Sequence, residues 1–522
     1  MTTQARHGDA LTADEKRQRE DILTQDAPSK QGTTAGATIL KHGDVYLLAD
    51  DAGDVPWDLP HVCGLFTQDC RFLNGLLLRI EGERPTALST SHIGEQHSAH
   101  VLTNAGSLPQ QNGDAVAENA IAIRRSREMR HGVLYEHIRF ANHDSRPAVL
   151  RASIRARCEF EDVFVVKGFT ESSRGALSPP RATGDRTLEW SYRGRDQQLR
   201  RTILTFDPAP DEIRDDEVHF VVKLAPGEHA SVALTITAVV GEAPTRVCRP
   251  DAGAEDPGRH RRRAEERWLG SATRLRSSDE LFDRVLHRAL LDLRLLRSRL
   301  GRFHYFAGGV PWFVTLFGRD SMLAAMQTLA YGPAVARDTL LLMAQYQADR
   351  DDEYRDAEPG KILHELRRGE LAHLGEIPQS PVYYGTVDAT MLFLILAAEY
   401  LAWSGDLETI QRIRPNIDAA LRWMATCGDH DEDGYFDYVG QYDNGLVNQA
   451  WKDSGQAIVN ADGSLAEPPI ATAEVQSYAY LAWRQSAVVL RALGAAREAG
   501  DADRRADGLR TRFAGDFWSD DL

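Results

Sequence analysis

A chain of 522 residues is longer than one core can fill, since single cores stop growing near roughly 250 to 300 residues. Its 42% hydrophobic and 26% charged content excludes a chain dominated by disorder. A formal charge of −16 argues against nucleic acid or an anionic membrane as a partner, because both need a positive face.

The N-terminus carries Asp9, Asp14, Glu15 and Glu20 where a signal peptide needs an apolar stretch. No run approaches the roughly 18 apolar residues that span a bilayer, so a cytoplasmic protein is expected. Cys63, Cys70, Cys158, Cys248 and Cys427 contain no C-x-x-C pair, which fits thiols in a reducing compartment better than a disulfide framework or a zinc site.

Residues 1–37 are polar and aperiodic and read as a tail. From 38 to 248, short alternating apolar segments recur between turn residues: Asp44 to Leu48, Phe72 to Ile80, Val133 to Phe140, Ala148 to Ile154, Val218 to Val222 and Ala230 to Val239. This is the pattern of an antiparallel β-sandwich. Residues 249–278, with Pro250, Gly253, Pro257 and Gly258 followed by Arg261, Arg262 and Arg263, read as a linker leading into helix, with a solvated face.

From 279 to 522 the period becomes helical: Leu281 to Leu300, Met322 to Leu329, Ala334 to Tyr346, Met391 to Trp403, Ile410 to Met424, Tyr478 to Leu493 and Ala502 to Phe513. Broad apolar arcs require these helices to cover one another, so the fold class is multidomain β plus α. Three connections are long and rich in aromatic and carboxylate residues: His304 to Asp320, Asp352 to Asp388, and Cys427 to Glu474. Long connections in compact domains are usually functional, and these are expected to meet at one end of a helical barrel.

The first holds Trp312, a flat face for a sugar ring, beside Arg319 and Asp320, which suit its hydroxyls. Asp320 could equally cap the following helix with Arg319 paired to it. The second brings His364, Glu365, Tyr384 and Asp388 to the start of another helix, where a carboxylate serves as cap or ligand. The third holds Trp451, Asp453 and, opening the next helix, Glu474. Asp453 beside Trp451 is the candidate general acid, because apolar surroundings keep a carboxyl protonated nearer neutral pH.

The segments AGGVPWFVTLFGRDSMLAAMQTLA (307–330), GKILHELRRGELAHLGEIPQSPVYYGTVDATMLFL (360–394) and NGLVNQAWKDSGQAIVNADGSLAEPPIATAEVQSYAY (444–480) resemble the amylo-alpha-1,6-glucosidase, or bacterial glycogen debranching, family. LKHGDVYLLADDAGDVPWDLPHVCGLFTQDCRFLNGL (40–76) resembles its N-terminal β-domain. The resemblance implies an (α/α)6 toroid of six helical hairpins behind the sandwich. It implies inverting hydrolysis of α-glucosidic bonds in glycogen catabolism, with an α-glucan or oligosaccharide as partner. Arg319 and Asp320 would hold the non-reducing glucose, Asp453 would protonate the leaving oxygen, and Glu474 would contact sugar at the barrel mouth.

An inverting glycosidase also needs a second carboxylate roughly 6.5 to 9.5 Å from the acid. In the family this base is expected in a later helix-to-helix loop. The sequence ends at Leu522 after seven or eight of twelve helices, so an incomplete toroid lacking its base is expected. Alternatives are a non-catalytic glucan-binding chain and an α-glucosidase for another small α-glucoside.

Asp429-His-Asp-Glu-Asp-Gly434 has the spacing of a calcium loop, but Gly440 stands where its twelfth-position acid belongs, so an acidic turn without metal is the alternative. No other metal site is expected. No cofactor is required, because glycosidic hydrolysis needs two carboxyls and water.

Overall fold

The computed structural model describes residues 36–57, 62–92, 96–110, 115–171, 173–242, 248–250, 259–377, 381–440 and 445–518. The expected tail lies almost wholly outside these residues.

Strands Val133–Asn142, Ala148–Arg157 and Glu217–Leu224 bury alternate side chains, as a half-covered strand should. They belong to an antiparallel assembly in three sheets. The largest has eight strands, with Val133–Asn142 between Ile121–Arg130 and His229–Val240. A four-stranded and a five-stranded sheet share its core, so Leu47, Leu76, Leu150, Ile123, Leu204 and Leu234 fall in one apolar cluster.

Beyond the last sandwich strand the chain is mainly helical. We label the longer helices α1 (Arg259–Ser271), α2 (Glu280–Leu296), α3 (Gly318–Gln327), α4 (Ala334–Gln345), α5 (Asp388–Ser404), α6 (Arg414–Thr426), α7 (Ala473–Ala492) and α8 (Ala496–Asp516). Helix α5 is apolar on every side and buried from Asp388 to Ala398, because α3, α4, α6 and α7 all pack on it. A second core cluster runs from Tyr305 to Leu509 through these helices.

The stretch read as a linker leading into helix contains α1, whose Trp268 donates from its indole nitrogen to the Leu290 carbonyl at 2.8 Å and so docks on α2. Two expectations are corrected. Helix α2 stops at Leu296, although Leu300 continues its spacing. Arg297–Leu300 pairs instead with Phe303–Phe306 in a hairpin turned by Gly301 at φ +57°, so tertiary pairing overrides local period. The first two long connections are not structureless. Leu316–Phe317, Glu365–Leu366 and Val382–Tyr383 form a three-stranded sheet that ties them together.

The sandwich grips the second of those connections. Asp69 accepts from Arg367 Nη1 at 3.0 Å and from the Arg368 backbone N–H at 2.8 Å. Buried Asp162 caps two short helical turns at once, accepting from Phe164 N–H at 3.0 Å on its own side and from Leu371 N–H at 3.1 Å across the interface. Tyr46 donates to the Pro311 carbonyl at 2.6 Å, which fixes the first connection similarly. The β-domain thus sets where the connections before α3 and α5 begin.

Candidate active site

The site is assembled where α3 and α5 start. Gly318 opens α3 with its N–H on the His364 carbonyl at 2.8 Å. A Cβ there would lie 2.1 Å from the Leu363 carbonyl oxygen, so the strand approaches closely only because this residue is glycine. This approach, with the small sheet, brings Arg319 against Asp388 across 69 residues of sequence.

The third connection joins through its own ties. Val387 N–H donates to the Gln449 carbonyl at 2.8 Å, and Leu446 N–H to the Tyr383 hydroxyl at 2.8 Å. Asn448 Nδ2 then spans the following turn to the Ser454 carbonyl at 2.7 Å, holding Asp453 in place.

Arg319 is the centre of the arrangement. It is only 8% exposed, and its Nη1 donates to Asp388 Oδ2 at 2.9 Å and to the Ala450 carbonyl at 2.9 Å. Its Nη2 donates to Asp453 Oδ2 at 2.7 Å. Asp388 has no exposed surface, and its other oxygen accepts from Thr386 Oγ1 at 2.7 Å.

Asp453 differs in keeping a third of its side chain open to solvent. Burial pushes its carboxyl above the ordinary aspartate range, although the Arg319 guanidinium works against that and Asp320 adds to it. The ion pair alone would have suggested an acid held low. The burial of the site outweighs it.

The sequence-predicted residues divide into two groups. Arg319, Asp320, Asp388 and Asp453 come together, with Asp320 exposed in the first turn of α3; Glu474, half-buried at the start of α7, is linked to them through Tyr478. Asp320 does not cap α3, whose N-cap has no side-chain bond. Asp388 spends its carboxylate on Arg319 and Thr386 instead of on a cap. Trp451 is 67% exposed two residues before Asp453.

The rest are not brought to that surface. His364 is buried edge-on between Phe317 and Tyr383, and burial lowers its pKa to about 3, so it stays neutral. Glu365 is buried and bonded to Arg367 Nε at 2.7 Å. Tyr384 donates to the Tyr346 carbonyl at 2.7 Å. Trp312 packs among apolar residues of both domains, beside Val163, Phe164 and Tyr46. These four brace the connections that carry the site.

Two residues escaped the sequence reading. Thr386 precedes Asp388 by two positions, and that spacing could have suggested a local carboxylate bond. Tyr478 lies four residues after Glu474 on the same face of α7 and interacts electrostatically with Asp388, Glu474 and Arg319.

Away from this site, Asp429, Asp431 and Asp433 bring carboxylate oxygens within 4.8 Å of one another. They already accept backbone N–H bonds from Asp433, Gly434 and Tyr435. The donor set is all oxygen, which suits calcium.

The fold, a β-sandwich followed by packed helices, is shared with solved structures of low sequence identity. The chain superposes with a candidate kojibiose phosphorylase from the human microbiome at TM-score 0.53 and 10% identity, covering 90% of this chain and 67% of the other. It superposes with a bacterial glucoamylase complexed with acarbose at TM-score 0.52 and 9% identity, covering 94% and 68%. Residues 40–235 match the N-terminal domain of (some) glycogen debranching enzymes, so the β-region is a domain of that type. No curated protein matches the chain in sequence. Among the described residues no helix is long and apolar enough to cross a membrane.

Proposed function

We propose that this protein is a cytoplasmic glycosidase that hydrolyses α-glucosidic bonds, with the α-1,6 linkages of glycogen-like glucans as its substrate class. Asp453 donates the proton to the leaving oxygen. Asp320, Trp451 and Glu474 contact the sugar at the rim. The observation that carries this reading is Asp453 itself: a carboxyl raised by burial yet one-third open, near the exposed Asp320 carboxylate and an exposed indole. A group so placed holds a proton nearer neutral pH than a surface aspartate and can still reach a bond presented from solvent. The reaction is direct displacement by water with inversion, the water's proton passing to a second carboxylate that this reading leaves unassigned. This reading assigns the acid, needs no cofactor, and gives calcium at Asp429, Asp431 and Asp433 no more than a structural part.

A second reading has its own support. The Arg319 ion pair opposes protonation of Asp453, which would suit a rim that binds glucan without cleaving it. One assay separates the two. Purified protein and its Asp453→Asn variant are incubated with an α-1,6-branched limit dextrin, with and without inorganic phosphate, and products are followed by proton NMR. β-Glucose from wild type and none from the variant is the expected result. Glucose 1-phosphate would replace hydrolysis by phosphorolysis. Binding without any product would favour the second reading, and undiminished release by the variant would remove Asp453 from the chemistry.

A further inference from the structure

Both terminal nitrogens of Arg319 are engaged within the protein. Nη1 is shared between the Asp388 carboxylate and the Ala450 carbonyl, and Nη2 points at Asp453. Behind it stands Asp388, with no exposed surface and with Thr386 on its second oxygen. A buried arginine fixed from the rear by a buried carboxylate has lost its freedom to follow a ligand. With Nη1 held from the rear, Nη2 is aimed at the Asp453 carboxylate.

We infer that Thr386, Asp388 and Arg319 form a positioning chain whose task is to aim the Asp453 carboxyl, and that Arg319 is a positioning residue and not a sugar ligand. This rests on the reading of Asp453 as the proton donor. The Ala450 carbonyl is part of the device. Because Ala450 lies three residues before Asp453, one guanidinium grips both ends of the turn that carries the acid. Two restraints on one short turn fix its orientation as well as its distance, which a single ion pair would not do.

The chain also has an electrostatic consequence. The groups acting on Asp453 are Arg319, which lowers its titration, and Asp320 in the next position of α3, which raises it. Asp388 acts on Arg319 from the other side, and Tyr478 on α7 interacts with both of them and with Glu474. Removing the guanidinium leaves burial and Asp320 without opposition. The Asp453 carboxyl should then titrate at higher pH.

The test uses the whole chain labelled with 13C at the aspartate carboxyl, the Asp453 signal being the one lost in Asp453→Asn. In Arg319→Gln that signal is expected to titrate at higher pH than in wild type. On branched dextrin, kcat is expected to fall about 100-fold from misplacement of the acid, with KM nearly unchanged and the alkaline limb of the pH–rate profile moved upward. Arg319→Lys keeps a charge without the fork and should recover part of the titration shift but little of kcat. Should Arg319→Gln fail to fold, Thr386→Val leaves every charge in place and should give a smaller displacement in the same direction.

An Asp453 titration that does not move in a folded variant overturns the inference. So does a raised KM with an unmoved alkaline limb, the signature of a lost sugar contact. Absence of turnover in wild type would sink the proposed hydrolysis instead, and the titration of the free protein would still decide the positioning.

Discussion

Two of the regions where the protein buries arginines are built differently. In the sandwich core, Arg125 bonds Glu136 at 2.6 Å and Asp54 at 2.6 Å, while Arg127 pairs with the second Glu136 oxygen at 2.9 Å. All four side chains are out of reach of solvent. The two arginines lie on one face of Ile121–Arg130, and their network also bonds the Ala52 carbonyl, so it staples a loop onto the sheet. At the rim, Arg319 has one carboxylate partner wholly inside and one that reaches water. A closed network spends all its charge on structure. A network with one open member keeps a charge available for chemistry.

The comparison breaks most readily at Glu136. Its removal in Glu136→Ala leaves two buried guanidinium groups facing Asp54 alone, and losing one member of a buried charge network costs about 3 to 5 kcal/mol. Against a total of roughly 5 to 15 kcal/mol this is severe. Urea denaturation followed by circular dichroism should show it, and a loss under about 1 kcal/mol would mean the sandwich arginines are not stapling anything.

Acid should sharpen the same contrast. His100, buried against the loop with Nδ1 on the Asp51 carbonyl at 2.8 Å, has its pKa lowered from 6.5 to about 4, first by burial and then by Arg127. Between those values the unfolded chain takes up a proton that the folded one refuses. Stability is therefore full above pH 6.5 and falls as pH drops toward 4, by up to about 3 kcal/mol from this group. His100→Gln should flatten that part of the profile relative to wild type. If the two profiles run parallel between pH 7 and 5, His100 is not the titrating group.

How much of this was legible in the sequence differs by region for the same physical reason. The longer strands and helices followed from local period, the end of α2 excepted, and the three connections from their aromatic and carboxylate content. Partners were not legible, because they are set by distance in space. Arg319 stands next to Asp320, so a local reading pairs them, yet it bonds residues 69 and 134 positions away. The strip Arg124-Arg-Ser-Arg-Glu-Met-Arg130 looks like a solvated edge until Glu136 arrives opposite Arg127 in the sheet register. His364, Glu365 and Tyr384 have the residue types of a site but occupy the interior, since the small sheet that carries them is covered on both sides.

Opening one member of the rim network should also make that member dispensable to the fold. Asp453→Asn removes a charge that is one-third exposed and solvent-screened, so its effect on stability should stay within about 1 kcal/mol. Thermal melting of the variant beside Glu136→Ala would show the asymmetry directly. A loss from Asp453→Asn as large as that from Glu136→Ala would place the rim in the same structural class as the sandwich core.

The smallest expected effect concerns the most exposed partner of the rim, and it needs an internal control. Trp451 is 67% exposed and Trp403, at the far end of α5, is 59% exposed. Truncating either to alanine should change stability by no more than about 0.5 kcal/mol, because neither fills a core. What separates them is location: Trp451 sits two residues from Asp453, with its apolar face open where a sugar ring would arrive. Aromatic contacts of this kind contribute about 0.5 to 1.5 kcal/mol, so Trp451→Ala should raise KM for branched dextrin by about 2-fold to 10-fold. Trp403→Ala should leave it unchanged. Equal KM values in the two variants would exclude the Trp451 ring from the sugar-binding surface, while a selective rise would extend that surface beyond the ion-paired carboxylates to the exposed edge of the third connection.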